Sequence, residues 1–350
     1  SIAFEARWKG RLDALLDEVG GAAKLAEAIR ELEALQEVLG RLISYAGLQH
    51  ALHVGDPVRG KFYGDVQEKL TNAGIHLLFF PLEMNRIPDE KIDAAMADPE
   101  LAHYRPWIED ERKEKPYQLE DRLEQLFHEK SMTGRGAWNR LFDETLAELR
   151  FDVDGDQLSL EPTLNMLQDP DEETRRKAAA ALVETLRENM RTFGLITNTL
   201  AKDKEISDRW RGFEDVADSR NLANRVEREV VDALVSSVED AFPRLSHRYY
   251  ALKAKWFGKE KLEFWDRNAP LPRAPQKIYR WDEARDTVLS AYEGFAPEMA
   301  EIARPFFEKG WIDAPSKPGK SPGAFAHPTV PSVHPYVLLN YMGRPRDVMT

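Results

Sequence analysis

A chain without cysteine must draw its chemistry from histidines, carboxylates, hydroxyls and backbone groups, and this one has eight histidines in 350 residues. The missing cysteine removes disulfides, thiolate metal sites and a cysteine nucleophile together. His50 and His53 stand three apart at the end of a periodic stretch, a spacing that places both on one helix face. Zinc needs a third and usually a fourth ligand, and no neighbouring residue suggests one. His128-Glu129 invites the pattern H-E-x-x-H, but Met132 stands where its second histidine belongs, so the pair reads as part of an exposed charged helix. The acidic loop around Asp154-Gly155 lacks the carboxylate spacing and terminal glutamate of a calcium-binding EF-hand. The acids of Asp169-Pro-Asp-Glu-Glu173 read as helix-start electrostatics. His327 and His334 flank a proline-rich turn without a ligand pattern, and no G-x-S-x-G nucleophile motif appears. No catalytic or metal-ligating residue is assigned within these 350 residues.

The elements that would position any site are mostly helices. Apolar residues recur at helical spacing from Phe4 to about His53, with Gly20-Gly21 separating two helices expected to form an antiparallel pair. A long helix is expected from Val58 to about Met84, its second half in the core, followed by short helices opening near Pro88 and Pro99. Two more are expected between Gln118 and Arg150, interrupted near Ser131–Gly136. Two alternating runs around Asp154-Gly155 predict a hairpin over 151–161. Asp169 as cap and Pro170 at the first position then open a helix running beyond Thr199. A turn and short helix follow Trp210, and a second long helix is expected from about Glu227 to Trp256. Two further helices lie near Tyr279–Tyr292 and Pro297–Lys309.

Composition bounds the partners. Lys and Arg total 49 against 61 Asp and Glu, a net charge of −12, which argues against a dedicated nucleic-acid surface. The most apolar run, Ile75–Leu82, is far short of the roughly 20 residues of a membrane span. Cytoplasmic residence is the expectation. The chain opens on Ser1-Ile-Ala-Phe4, already in helical pattern and without an initiator methionine, so it reads as a fragment of a longer protein.

The last residues break the helical pattern. A Pro/Gly/Lys loop over 315–322 leads into Gly323-Ala-Phe-Ala326, a proline-punctuated turn, and the β-prone run Pro335-Tyr-Val-Leu-Leu-Asn-Tyr341, which together predict a hairpin. Arg344-Pro-Arg-Asp-Val-Met-Thr350 then reads as the opening of a helix. This segment resembles the oligoendopeptidase F family of thimet-type zinc oligopeptidases. In that family a lysine-rich loop, a Gly-Ala-Phe strand, a Pro-Tyr-hydrophobic-Asn strand and an Arg-Asp-Val-x-Thr helix start run into a zinc-binding H-E-x-G-H helix. Three earlier stretches are similar to the same family: His103–Leu119, the Asp169-Pro170 opening, and Tyr249-Tyr-Ala-Leu-Lys253 with Asp266-Arg-Asn-Ala-Pro270.

The resemblance implies a mainly α, multi-helix oligopeptidase (zincin-like) architecture with a small antiparallel sheet near the C-terminal end. It divides the chain into a helical N-terminal domain, 1–161, and the N-terminal part of a peptidase catalytic domain, 162–350, stopping before the zinc helix. It implies zinc in the intact parent, short peptides as substrates, and a 350-residue chain inactive by itself. Gly323, Ala324 and Phe325 become the substrate-binding edge strand, with Gly and Ala leaving room for a substrate backbone. The competing readings are a closed structural hairpin at that place, and a non-catalytic helical scaffold or peptide-binding protein for the whole.

Overall fold

The computed structural model describes residues 1–272 and 277–349. These form two compact units, each drawn from three stretches of sequence: Ser1–Ala46, Lys61–Leu141 and Gly194–Asp240 in one, Gly47–Gly60, Phe142–Phe193 and Ala241–Thr350 in the other. Both are built mainly of helices, as the periodicity predicts.

The chain begins with α1 (Ile2–Trp8), α2 (Leu12–Leu15) and the long α3 (Gly21–Ala51). The expected break at Gly20-Gly21 has a steric cause. Gly20 has φ +73°, and a Cβ on Gly21 would sit 1.8 Å from the Leu15 carbonyl oxygen. The single helix expected over Val58–Met84 is two, α4 (Pro57–Ile75) and α5 (Phe79–Arg86). Leu77, Phe79 and Phe80 are all buried, and a straight helix cannot turn such close neighbours toward one core. α6 (Asp89–Ala95), α7 (Pro99–Ala102) and α8 (Arg105–Arg112) follow. Pro99 takes the first position of α7 behind an Asp98 cap that accepts from the Glu100 N–H. Phe4, Trp8, Leu12, Leu25, Ile29, Phe80, Met84 and Ile108 belong to the one core that these elements share. α9 (Asp121–Lys130) and α10 (Ala137–Glu148) flank a π-type turn at Met132–Gly136, where the sequence predicts an interruption.

The predicted hairpin forms from β1 (Phe151–Val153) and β2 (Asp156–Leu158), antiparallel, with Asp154 and Gly155 both at positive φ as the tight two-residue turn requires. Phe151 and Val153 bury one face of it against Ala181 and Leu182. After α11 (Leu160–Met166) comes α12 (Glu172–Glu188), whose cap is Asp171 and not Asp169. Asp171 Oδ2 accepts the Thr174 N–H at 2.8 Å, while Asp169 Oδ1 turns back to the Asp171 N–H, which leaves Pro170 outside the helix. α13 (Met190–Arg211), α14 (Asp218–Ala223) and α15 (Arg228–Ala241) follow. The helix expected through Trp256 is divided: Pro243 lacks an N–H, the Phe242 carbonyl instead accepts from His247 in a π-type turn, and α16 (Arg248–Trp256) resumes beyond it.

α17 (Trp281–Phe295) and α18 (Pro297–Glu308) lead into a three-stranded sheet of β3 (Ile312–Pro315), β4 (Phe325–His327) and β5 (Tyr336–Tyr341). Its order is β3-β5-β4. β4 and β5 form the expected antiparallel pair, but β3, where the sequence pattern predicts no strand, joins β5 in parallel, so the sheet is mixed. Twenty residues between β3 and β5 give the crossover that parallel strands need. α19 (Pro345–Met349) opens as predicted, and Thr350 lies outside the described residues. Among the described residues no helix is long and apolar enough to cross a membrane.

Candidate functional site

β4 lies at one side of the sheet and pairs only with β5 among the described residues. The free side of β4 can be read from its neighbour. The Val337 N–H donates to the Trp311 carbonyl at 2.9 Å, so the backbone groups of Val337 face the β3 side. Ala326 is the antiparallel partner of Val337. In such a non-hydrogen-bonded pair both residues turn their N–H and C=O outward, so Ala326 presents a donor and an acceptor along the open edge. Phe325 and His327, opposite Leu338 and Tyr336, direct theirs to β5. The Ala326 side chain is exposed and adds no bulk there, and Pro328, without an N–H, ends the row of donors.

The three residues singled out from sequence occupy different positions. Phe325 starts the strand, whereas Gly323 and Ala324 precede it. Gly323 donates its N–H to Glu161 Oε1 at 2.6 Å, and its carbonyl accepts from Asn340 Nδ2 at 2.8 Å. With φ +78° and nothing within 4 Å of a notional Cβ, this glycine answers to the turn rather than to a need for room. Alternation in sequence finds a strand. It does not reveal which residue faces the open side, since that depends on the partner's direction, and Ala326 was missed for this reason.

The segment holding the edge in place uses most of the letters that carry the family resemblance. Lys320, 5% exposed, donates its ammonium protons to the carbonyls of Asp313, Pro315 and Leu339 and to the Asp313 carboxylate, tying the lysine loop to β3 and β5. Asn340 Nδ2 reaches the Ser321 and Gly323 carbonyls. Arg344 binds Asn165 and the Gln168 carbonyl, and Asp347 Oδ2 accepts from the Met342 and Arg344 N–H groups at 3.0 Å, capping α19. At Gly343 φ is +83°, and a Cβ would lie 2.9 Å from the Tyr279 carbonyl oxygen. Gly343→Ala is therefore expected to destabilise the protein by about 1–3 kcal/mol, measured as a shift of the urea midpoint.

The earlier resemblance motifs also meet, in a buried charge cluster of the same unit. Asp266, fully buried, receives Arg175 Nη2 at 2.7 Å and Lys259 Nζ at 2.6 Å. Arg175 Nη1 donates to the Asp169 and Pro170 carbonyls, fixing the approach to α12. Lys253, 2% exposed, donates to the Arg267 and Ala269 carbonyls at 2.8 Å each. Burial pushes the Lys253 ammonium below its ordinary value and Arg175 adds to that, with Asp266 opposing.

The histidines do not converge. His50 ends α3 buried, while His53 lies beyond the helix and is exposed, so the expected shared face does not exist. His128 Nε2 lies 3.2 Å from the Thr71 carbonyl. His327 is in β4, and His334 stacks on Trp311 with ring centroids 3.5 Å apart. Among the described residues no three His, Cys, Asp or Glu side chains are gathered as a metal site.

Comparison with known proteins places this arrangement. Residues 83–151 match the family model described as Oligopeptidase F, and residues 165–350 that of Peptidase family M3. Oligopeptidase PepF of Bacillus subtilis is 25% identical over 98% of this chain and 51% of its own length. An oligoendopeptidase F homolog of Borreliella burgdorferi is 23% identical over 93% of this chain and 55% of its own. The chain thus spans about half the length of these curated relatives. Among solved structures, Pz peptidase A with an inhibitor matches with a TM-score of 0.79 at 17% identity, over 99% of this chain and 60% of that one. Oligoendopeptidase F from Enterococcus faecium matches at 0.67 and 20% identity, over 89% and 58%. These likenesses carry the fold. Since the second family model takes in more than half of its residues, the chain belongs to peptidase family M3, in the oligoendopeptidase F group.

Proposed function

We propose that this chain is part of a zinc-dependent endopeptidase for short peptides and supplies the edge along which the substrate backbone lies. The observation that carries the reading is Ala326, whose N–H and C=O face the open side of β4. An extended peptide added there becomes a further strand, held by main-chain hydrogen bonds that accept any sequence. Phe325 contributes through its place in the strand, and Gly323 and Ala324 through the turn that delivers it.

Among the described residues no three His, Cys, Asp or Glu side chains are gathered where zinc could be held, and on this reading the zinc ligands belong to the part of the full-length protein outside this chain. By itself the chain is proposed to be inactive. The division into a helical part, 1–161, and the start of a catalytic domain, 162–350, belongs to the same reading, supported by family models that end at 151 and begin at 165. Cytoplasmic residence belongs to the same proposal, and the cysteine-free sequence is compatible with a reducing compartment.

The test uses the full-length protein carrying Ala326→Pro. Proline is tolerated on an edge strand whose N–H faces outward, so the unfolding midpoint should stay near wild type. Loss of one backbone hydrogen bond to the peptide should lower kcat/KM about tenfold. An unchanged kcat/KM would remove the edge from substrate binding. Zinc content and intact mass on the same preparation address the other half: peptide binding without zinc or hydrolysis would leave a peptide-binding scaffold.

A further inference from the structure

A peptide bonded to Ala326 would meet an aromatic face. Side chains alternate along a strand and neighbours across strands share a face, so the peptide residues flanking the bonded one turn toward the side that carries Phe325 and His327. Tyr336 is the partner of His327 in β5 and stands on that face. Trp311, one residue ahead of the Ile312–Val337 pair, comes level with Tyr336. His334 completes the row: its ring stacks on Trp311 with centroids 3.5 Å and planes 11° apart, and lies 4.5 Å from Tyr336. Trp311, His334 and Tyr336 are each half-buried, so the row keeps surface of its own to offer.

The loop that delivers His334 is held under backbone strain. Thr329 has φ +61°, a conformation costly for a β-branched residue. Its hydroxyl donates across the loop toward the carbonyls of Val333 and His334, at 2.9 and 3.1 Å. His334 Nδ1 donates to the Pro335 carbonyl at 3.1 Å, since that oxygen can only accept. The imidazole is thus fixed through its backbone and its ring together.

We infer that Trp311, His334 and Tyr336 form a subsite that selects a large aromatic side chain in the peptide residue next to the one bonded to Ala326. The inference rests on the reading of β4 as the substrate's edge. Two strand spacings, about 10 Å, separate such a peptide from β5, a gap that a peptide ring on one side and Tyr336 on the other can close and a methyl group cannot. Ring geometry adds to the area buried. Lys309 Nζ lies 5.3 Å from the Trp311 ring centroid, which makes an acidic side chain the competing ligand.

The test assays the full-length protein with quenched-fluorescent peptides of one background sequence, each carrying Phe, Ala or Glu at a single position that is moved along the peptide. At one position kcat/KM with Phe should exceed that with Ala about tenfold, and in His334→Ala and Tyr336→Leu this ratio should fall toward one. A ratio cancels any loss of folded enzyme, and the second variant covers a failure of the first. The proposal is overturned by a Phe-to-Ala ratio near one at every position in wild type, by a ratio that both variants leave intact, or by a preference for Glu over Phe. Ala326→Pro separates this inference from the reading it rests on. An unchanged kcat/KM in that variant removes the edge and the subsite with it. A common loss for every peptide, with the ratio unmoved in His334→Ala and Tyr336→Leu, keeps the edge and removes the aromatic subsite alone.

Discussion

Asp266→Asn should lower the unfolding free energy by about 3–5 kcal/mol, the cost of leaving buried cations without their counter-charge. Asp266 is fully buried between Arg175, itself 1% exposed, and Lys259. Asparagine keeps the shape but not the charge, and its amide would turn a donor toward either Arg175 or Lys259. The expected readout is a lower denaturant midpoint with an unchanged slope. Glu205→Gln serves as the contrast. Glu205 pairs with Lys202 and Arg209 on the exposed face of α13, where solvent screens the pair, and its loss should stay within experimental scatter. If Asp266→Asn is as mild as Glu205→Gln, the cluster is not a structural staple.

The same residue sets an acid limit. Burial alone would raise the Asp266 carboxyl, but hydrogen bonds from Lys259, Arg175 and the Glu263 N–H outweigh it and hold the group below its ordinary 3.8. A carboxyl whose folded pKa is depressed contributes stability above its unfolded pKa and loses it as the pH falls through the folded one. Wild type should therefore weaken on acidification below about pH 4, with Asp266→Asn flatter over that window. A companion variant with both Arg175→Met and Asp266→Leu should recover part of the loss, since removing a buried pair together strands less charge than removing one member.

What sequence showed and what it hid follow from the range of the interactions. The core positions Leu25, Ile29 and Leu32 were legible because helical periodicity is local, and the β1–β2 turn because Asp154 and Gly155 state their backbone requirement themselves. β3 was not legible. It has four residues, ends in proline, and draws its identity from a parallel partner beyond a long crossover. The cap of α12 moved from Asp169 to Asp171 because two aspartates compete across Pro170, and only the observed hydrogen bonds decide between them. The family letters were recognisable, yet their work was not: Lys253 and Asp266 meet Arg175, 91 residues from Asp266 in sequence, in one buried cluster, while Lys320, Asn340 and Arg344 brace the sheet. A charged residue in a family motif invites a catalytic reading, and burial with carbonyl partners identifies a staple instead.

Lys320→Met tests that distinction at the sheet. Methionine matches the length of the lysine stem but offers no proton, so the carbonyls of Asp313, Pro315 and Leu339 lose a common donor in a site with little access for water. At about 1–3 kcal/mol for each unsatisfied buried acceptor, with relaxation recovering part, the expected loss is about 3 kcal/mol. The loss should be concentrated where β3, β5 and the 316–323 loop meet, seen as faster amide exchange at Val337 and Leu338 than at α12. Because Asn340 and the Gly323 turn hang from the same framework, the β4 edge should loosen with it. On the proposal that this edge holds the substrate backbone, KM for peptide in the full-length protein should then rise more than kcat falls. A fall in kcat alone, with stability and exchange unchanged, would instead make Lys320 a participant in the chemistry and would contradict the buried, fully engaged ammonium that the structure shows.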